Sequence, residues 1–160
     1  LTKYPCSTSA MGAGSVKPWT STLAPLVDYF VCSEDLSRTY TGQEIDIQDM
    51  NKLSAIFSKL AELNKKHIVI TIGGRGVLYQ ENQKIYHVPA FKTKTVDSTG
   101  AGDIFHGAFV YFLGHNYPLE TVIKLASLTA SISTETMGGM ISIPSLKEVM
   151  QRAKEMKSIF

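Results

Sequence analysis

The chain has 160 residues, of which 44% are apolar and 19% are charged, a composition typical of an ordinary globular protein. Sixteen basic and fourteen acidic side chains leave a formal net charge of +2, which favours neither a nucleic-acid partner nor a membrane surface. The apolar runs are shorter than a bilayer span, so we expect no membrane partner.

The beginning of the sequence carries little structural information. Residues 1–22 show no clear period, and the chain starts at Leu1 rather than at a methionine, so we expect it to be part of a longer protein. No secretory leader opens it, and Cys6 and Cys32 form neither a disulfide framework nor a zinc-binding spacing. We therefore expect a cytoplasmic protein in which residues 1–160 belong to one domain.

The next part of the chain predicts a strand, a helix and a second strand. The short run 27–32 is aromatic and β-branched, which indicates a buried strand. Apolar residues at helical spacing over 48–64 predict an amphipathic helix, with Asp46 or Asp49 as its cap. The almost continuous apolar run 67–72 predicts a strand covered on both faces, as in a parallel sheet.

The second half predicts a hairpin followed by helices. Two strand-like runs, 77–80 and 84–88, are separated by three polar residues and indicate a hairpin. We expect a helix from about Gly100, another after Pro118 and a last amphipathic segment after Pro144. Strands that alternate with helices predict a layered α/β fold, in which ligands gather beyond the carboxyl ends of the strands.

The stretch 95–103 is the most informative part of the chain for chemistry. It is a loop of small residues that leads into a helix N-terminus, where free N–H groups and the helix dipole attract an anion. Gly100 and Gly102 let a phosphate approach the main chain closely. Asp103 fits a proton acceptor for an attacking hydroxyl. The alternative is that Asp103 only complements the helix dipole and that the glycines make a tight turn.

Two motifs resemble a known family. Residues 97–108 read DSTGAGDIFHGA and residues 71–76 read TIGGRG. The first resembles the C-terminal signature of the ribokinase-like (PfkB) carbohydrate kinases, and the second resembles the nucleotide segment at a strand end in that family. The resemblance implies a layered ribokinase-like fold, with a mainly parallel sheet flanked by helices. It also implies that residues 1–160 are the C-terminal ATP-binding and catalytic part, without the N-terminal substrate and lid half.

The same resemblance implies an ATP-dependent sugar kinase. It makes Asp103 the general base, and it makes Gly100, Ala101 and Gly102 the anion hole for the transferring phosphoryl group. Its cofactors would be ATP and Mg²⁺, and its partner a small-molecule sugar. The residues that it places along the ATP are Thr71, Gly73, Gly76 and Ser127.

The resemblance also raises two questions about metal ions. Many members of the family surround a monovalent cation such as K⁺ with residues that correspond to Asp97, Thr99, Ser133, Thr136, Gly138 and Ser142. The family's Asn-x-x-Glu loop, which organises Mg²⁺, is replaced at 33–36 by Ser-Glu-Asp-Leu. Glu34 and Asp35 are the candidates to take its place.

Several alternatives stay open. The acceptor could be a nucleoside or a vitamin-type alcohol, or the chain could be a nucleotide-binding module without activity. His106 could reach substrate or phosphate, or it could pack on its helix, and Arg75 could reach phosphates or lie exposed in a turn. Cys32, which ends an apolar strand, reads as a buried small hydrophobe rather than a nucleophile. Apolar strands without their usual neighbours favour a homo-oligomer.

Overall fold

The computed structural model describes residues 8–156, so Cys6 lies outside the described part of the chain. Backbone contacts divide the chain into two compact units. The first contains the described residues up to Gly73 together with Val77–His87. The second contains Gly74–Gly76 and the described residues from Val88 onward.

The first unit is built on a five-stranded mixed sheet. Its strands follow one another in space in chain order: β1 Ala10–Ala13, β2 Tyr29–Ser33, β3 His67–Thr71, β4 Val77–Glu81 and β5 Lys84–Val88. The strands β1, β2 and β3 are parallel, whereas β4 runs antiparallel to β3. The predicted layered α/β fold is confirmed, and the parallel part of the sheet is its first three strands.

Burial explains why β2 and β3 lie inside this sheet. Phe30 and Cys32 on β2 pair with Ile68 and Ile70 on β3, and all four side chains are buried. A strand needs an apolar residue at every position only when both of its faces are covered, as they are here. Burial raises the pKa of the Cys32 thiol to about 12, so the interpretation of Cys32 as a hydrophobe rather than a nucleophile is confirmed.

The bounds of the helices are α1 Thr20–Leu23, α2 Glu34–Thr41, α3 Met50–Leu60, α4 Ala101–Leu113, α5 Leu119–Ser133 and α6 Leu146–Glu155. Short 3₁₀ turns cover Ala24–Leu26 and Gly73–Arg75. The helices α2, α3 and α6 begin at side-chain caps. Asp49 caps α3 by accepting a hydrogen bond from Lys52 N–H. Of the two predicted cap residues, Asp49 is therefore the N-cap.

Residues 33–36, which stand in the place of an Asn-x-x-Glu loop, are the cap and first turn of α2. Ser33 accepts a hydrogen bond from Leu36 N–H at 3.1 Å, and its own hydroxyl donates to the Gly14 carbonyl at 2.7 Å. Glu34 and Asp35 therefore lie in the first helical turn, where acidic side chains complement the helix dipole. This helix packs against β2 and β3.

The core of the first unit lies between its sheet and the helices α2 and α3. Leu36 from α2 and Leu53, Ile56 and Leu60 from α3 are completely or almost completely buried against the apolar residues of the strands. The predicted amphipathic helix over 48–64 is thus confirmed as α3, with shorter bounds. Within residues 8–156, no helix combines the length and the apolar character that crossing a membrane requires.

The second unit is helical. α4 and α5 pack along each other, and α5 also packs against α6. Phe105, Phe109 and Phe112 are buried on α4 and belong to the core. Arg152 on α6 forms a two-pronged ion pair with Glu135, with distances of 2.6 and 3.1 Å, and this pair fastens α6 to the turn after α5.

Candidate active site

The N-terminus of α4 is open, in contrast to the capped starts of α2, α3 and α6. Gly100 is the N-cap residue, with a φ of 75° in the left-handed region, and no side chain caps the helix. Ala101 N–H donates to the Ser98 carbonyl, and Ile104 N–H donates to the Gly100 carbonyl. The other N–H groups of the first turn, on Gly102 and Asp103, have no acceptor within the helix and can bind an anion.

Solvent reaches this first turn directly. Gly102 is exposed, and a Cβ added there would meet nothing beyond its own helix within 4 Å. Asp103 is also exposed and carries its carboxylate in the same turn. The structure therefore places an exposed proton acceptor next to N–H groups that an anion can reach. The predicted site residues Gly100, Ala101, Gly102 and Asp103 thus form the N-cap and first turn of α4.

The loop before α4 is fixed by Asp97. One carboxylate oxygen of Asp97 accepts a hydrogen bond from Thr99 N–H, and the other accepts one from Gly138 N–H, both at 2.9 Å. The Gly138 N–H, followed by Thr99, holds the pKa of Asp97 below its ordinary value. Val96 N–H and Asp97 N–H both donate to the Thr134 carbonyl. These bonds join the loop before α4 to the turn after α5.

The candidate cation residues are gathered around this junction. Asp97 bonds Thr99 and Gly138 directly, the Gly138 carbonyl accepts from Ser142 N–H, and the Ser133 carbonyl accepts from Thr136 N–H. Asp97, Thr99, Gly138 and Ser142 are thus linked by hydrogen bonds, and Ser133 and Thr136 form a separate bonded pair in the turn after α5. Backbone and carboxylate oxygens are ligands that hard cations accept, so this donor set fits the prediction.

The described residues offer fewer side-chain ligands for a divalent metal ion. Among the described residues, no group of three or more His, Cys, Asp or Glu side chains could hold a metal ion. Mg²⁺ is commonly bound through one or two carboxylates together with the phosphates of its nucleotide.

The candidate nucleotide residues have different surroundings. Thr71 is half-buried and its hydroxyl donates to the Cys32 carbonyl at 3.4 Å, whereas Gly73 is exposed and has a φ of 57°. Both belong to the first unit. In the second unit, Ser127 is 5% exposed within α5, and Gly76 is buried. The contacts of these four residues with ATP stay a prediction.

Gly76 has a clear structural reason to be glycine. Its φ is 107°, and a Cβ added there would lie 2.0 Å from the Val88 carbonyl oxygen and 2.7 Å from Ala90 N. Two backbone segments therefore approach at this point more closely than any side chain allows.

His106 lies one turn after Asp103 on α4. Its Nδ1 atom is buried and has no hydrogen-bond partner among the described residues. Burial lowers the pKa of His106, while the charge of Asp103 acts in the opposite direction. The buried Nδ1 places the imidazole against its helix, which matches the second of the two sequence interpretations of this residue.

A cavity of about 530 Å³ adjoins Asp103 within the second unit. Asp103, Gly107 and Tyr111 line it from successive turns of α4, and Thr129 lines it from α5. Gly100, further residues of α4 and residues of the segment 139–149 form the rest of its wall. Sequence reasoning did not find this cavity, although the four-residue spacing of Asp103, Gly107 and Tyr111 places them on one helix face.

Comparison with known proteins identifies the family. The chain matches the pfkB family carbohydrate kinases over residues 6–146. It belongs to this family. The ribokinase-like resemblance of residues 97–108 and 71–76 is thereby confirmed.

Relatives within the pfkB family include sugar kinases. A ribokinase of Lactococcus lactis subsp. lactis is 36% identical over 101 residues, which cover 61% of this chain and 34% of the relative. A deoxyribokinase of Salmonella typhi is 32% identical over 121 residues, which cover 76% of this chain and 39% of the relative. The chain therefore spans little more than a third of the length of these relatives.

Solved structures share the fold. A ribokinase of Cryptococcus neoformans in complex with ADP has a TM-score of 0.76 at 25% identity, and the match covers 92% of this chain and 52% of that one. An E. coli protein provisionally assigned as a ribokinase II, in complex with ATP and Mg²⁺, has a TM-score of 0.70 at 21% identity. That match covers 84% of this chain and 42% of the E. coli chain.

Proposed function

We propose that the chain is the ATP-binding and catalytic part of a kinase that transfers the γ-phosphoryl group of ATP to a sugar hydroxyl. The observation that carries this proposal is the exposed carboxylate of Asp103 in the uncapped first turn of α4. A carboxylate there weakens the binding of a resting anion, because like charges repel. It becomes useful when a neighbouring hydroxyl must lose a proton during attack on phosphorus.

Each part of this turn has a separate role in the reaction. The open N–H groups of Gly102 and Asp103 hold the transferring phosphoryl group and stabilise the charge that develops on its oxygens. Gly100, Ala101 and Gly102 shape this anion hole, and Asp103 accepts the proton of the acceptor hydroxyl. Hydrogen bonds from Thr99 N–H and Gly138 N–H to Asp97 keep the loop in position before the substrates arrive.

ATP and Mg²⁺ are the proposed cofactors. The Cryptococcus and E. coli neighbours hold ADP, and ATP with Mg²⁺, respectively, which supports the same ligands here. When bound with ATP, Mg²⁺ neutralises charge on the phosphates. Thr71, Gly73, Gly76 and Ser127 are the residues proposed to lie along the nucleotide. A monovalent cation such as K⁺ is proposed for the segment that Asp97 and Gly138 organise.

The proposed setting is a cytoplasmic enzyme that acts on a small molecule, with no nucleic-acid or membrane partner. A homo-oligomer is part of the same proposal, because within residues 8–156 β1 has a neighbouring strand on one side only. A second candidate function is a nucleotide-binding module without activity. It is favoured by one observation, namely that residues 33–36, in the place of the family's Asn-x-x-Glu loop, read Ser-Glu-Asp-Leu and form the start of α2.

A phosphorylation screen tests the proposal. The complete natural protein is incubated with ATP, Mg²⁺ and a panel of sugars and nucleosides, while ADP release and the phosphorylated product are measured. We expect release of ADP that depends on the acceptor, together with one phosphate added to it. Binding of ATP without any acceptor-dependent ADP release would contradict the kinase and support the binding module.

A further inference from the structure

The candidate cation residues come from two segments that are far apart in the sequence. The segment 97–99 precedes α4, and the segment 133–142 begins at the end of α5. Oxygen atoms from both segments can hold one ion only if the two segments are kept in register. In metal sites this task falls to residues that bond the ligands without touching the ion. Thr134 lies where such a residue is needed.

The main chain of Thr134 bonds the two segments to each other. Thr134 follows Ser133 directly, and its carbonyl oxygen accepts hydrogen bonds from Val96 N–H at 2.7 Å and from Asp97 N–H at 3.1 Å. Its own N–H donates to the Ser131 carbonyl, inside α5, at 3.2 Å. The position of the Asp97 backbone therefore depends on the position of the Thr134 carbonyl.

The side chain of Thr134 is the centre of a group of three hydroxyls, those of Thr93, Thr95 and Thr134, which we call the threonine cluster. The Thr134 hydroxyl donates its one proton to the Ser131 carbonyl at 2.7 Å. Its lone pairs remain for the hydroxyls of Thr93, at 3.2 Å, and Thr95, at 3.3 Å, so both of these donate to it. Both bonds are longer than the usual length of about 2.7–2.8 Å, so the cluster acts through their sum.

The chain that leads to Asp97 is irregular and exposed. Residues 89–95 form neither a helix nor a strand. Lys92, Lys94 and Val96 are exposed, so their side chains are not packed into a core. Such a segment opens easily unless hydrogen bonds hold it. The threonine cluster and the two bonds to the Thr134 carbonyl supply hydrogen bonds of this kind, and all of them converge on one residue.

We propose that Thr134 is a positioning residue for the monovalent cation, and that its hydroxyl keeps the segment 97–99 in register with the segment 133–142. This inference rests on the proposed function, which assigns a cation such as K⁺ to these segments. Carbonyl oxygens replace the hydration shell of K⁺ only when several of them surround the ion together. Thr134 is adjacent to Ser133 and bonded to Asp97, so it joins the two hydrogen-bonded groups of candidate ligands.

Four variants isolate the hydroxyl of Thr134. Thr134→Val removes the hydroxyl but keeps the branched shape, whereas Thr134→Ser keeps the hydroxyl and removes a methyl group. Thr95→Val removes one donor of the threonine cluster at an exposed position, with less risk to folding. Thr41→Val is the matched control. The Thr41 hydroxyl also donates to a carbonyl of its own helix, that of Ser37 at 2.7 Å, but it belongs to the first unit.

The test measures how much K⁺ is needed to raise the unfolding temperature of the complete natural protein by half of its maximal shift. KCl is titrated while tetramethylammonium chloride keeps the ionic strength constant, because an ion that binds the native state stabilises it by mass action. We expect Thr134→Val to need roughly fivefold more K⁺ than the wild type, and Thr95→Val roughly twofold more, since hydrogen bonds that hold the register are lost. We expect Thr134→Ser and Thr41→Val to match the wild type.

ATP titrated calorimetrically into the same samples separates this inference from the proposed function. The inference is overturned if K⁺ does not stabilise the wild type, if Thr134→Val needs no more K⁺ than Thr41→Val, or if Thr134→Ser is shifted as far as Thr134→Val. ATP binding by the wild type leaves the kinase proposal standing in each of these cases. Failure of the wild type to bind ATP overturns the kinase proposal, while the K⁺ titrations still decide the role of Thr134. If Thr134→Val does not fold, the shift for Thr95→Val decides in its place.

Discussion

The two glycine-rich segments of the chain, 73–76 and 100–102, resemble each other in sequence but differ in their surroundings. At Gly76, an added Cβ would lie 2.0 Å from a backbone oxygen, and the residue is buried. At Gly102, an added Cβ would meet nothing beyond its own helix within 4 Å, and the residue is exposed. The fold itself therefore requires glycine at 76 but not at 102.

This difference shows how a structural glycine is separated from a functional one. A glycine whose missing side chain would collide with the protein is explained by packing alone. A glycine that faces empty space on an uncapped helix start is explained only by something that enters from solvent, and phosphate is the ligand that such N–H groups suit. Four substitutions test the comparison.

Gly76→Ala should have the largest effect on stability. The new Cβ cannot coexist with the Val88 carbonyl, and the φ of 107° is unfavourable for any side chain. We expect the free energy of unfolding to fall by roughly 2–5 kcal/mol, from strain and overpacking together. Urea denaturation measures this change. A midpoint equal to that of the wild type would show that the backbone segments do not meet as described.

Gly100→Ala is an intermediate case. The residue has a φ of 75°, but its nearest contact, Gly139 Cα, would lie 3.6 Å from the new Cβ, which is an ordinary distance. Strain without collision predicts a loss of about 1–2 kcal/mol in the free energy of unfolding. The same denaturation experiment places this variant between Gly76→Ala and the wild type, and a loss as large as that of Gly76→Ala would argue against the distinction.

Gly102→Val should leave stability almost unchanged, within about 0.5 kcal/mol. The side chain would instead occupy the space in which phosphate meets the main chain, so we expect ATP to bind roughly tenfold or more weakly. Adenosine lacks phosphates and serves as the control ligand in the same calorimetric titration. Equal losses of affinity for ATP and adenosine would mean that the first turn of α4 does not hold phosphate.

Asp97→Ala should have the smallest effect, confined to the loop before α4. Its carboxylate accepts from Gly138 N–H, so we expect faster hydrogen exchange of that amide in the variant. The pKa of Asp97 lies below its ordinary value of 3.8, so its stabilising effect is present above that pH and is lost as the pH falls through the lowered pKa. The protection factor of that amide, which is corrected for the intrinsic pH dependence of exchange, should therefore fall in acid in the wild type but not in Asp97→Ala.

Much of the fold could be predicted from local patterns. The strands β2 and β3 are continuous apolar runs, and α3 has a helical apolar period with Asp49 at its start. Both patterns lie within a few consecutive residues, and they are visible in the sequence because buried positions are apolar. In contrast, β1 has only four residues, Ala10–Ala13, too few to show a period. The polar α2 buries only Leu36 and Ser37, so its apolar face is too narrow to be recognised.

The candidate site could be predicted only in part, for a related reason. The anion hole and Asp103 are adjacent in sequence, and their motif is visible without a structure. The collision at Gly76 involves Val88 and Ala90, more than ten residues away, and the sequence carries no sign of it. The cavity likewise combines α4 and α5 with the segment 139–149. Features formed by residues that are far apart in the sequence can be recognised only in the three-dimensional structure.

The central claim, that Asp103 is the general base beside a phosphate site, is tested most directly by Asp103→Asn in the complete natural protein. Turnover and ATP affinity are measured on the same preparation, with the acceptor that the phosphorylation screen identifies. We predict that kcat falls about 10²–10⁴-fold, because the amide cannot accept the proton, while the Kd for ATP stays close to that of the wild type. Turnover above about a tenth of the wild-type value would contradict the assignment of Asp103 as the base.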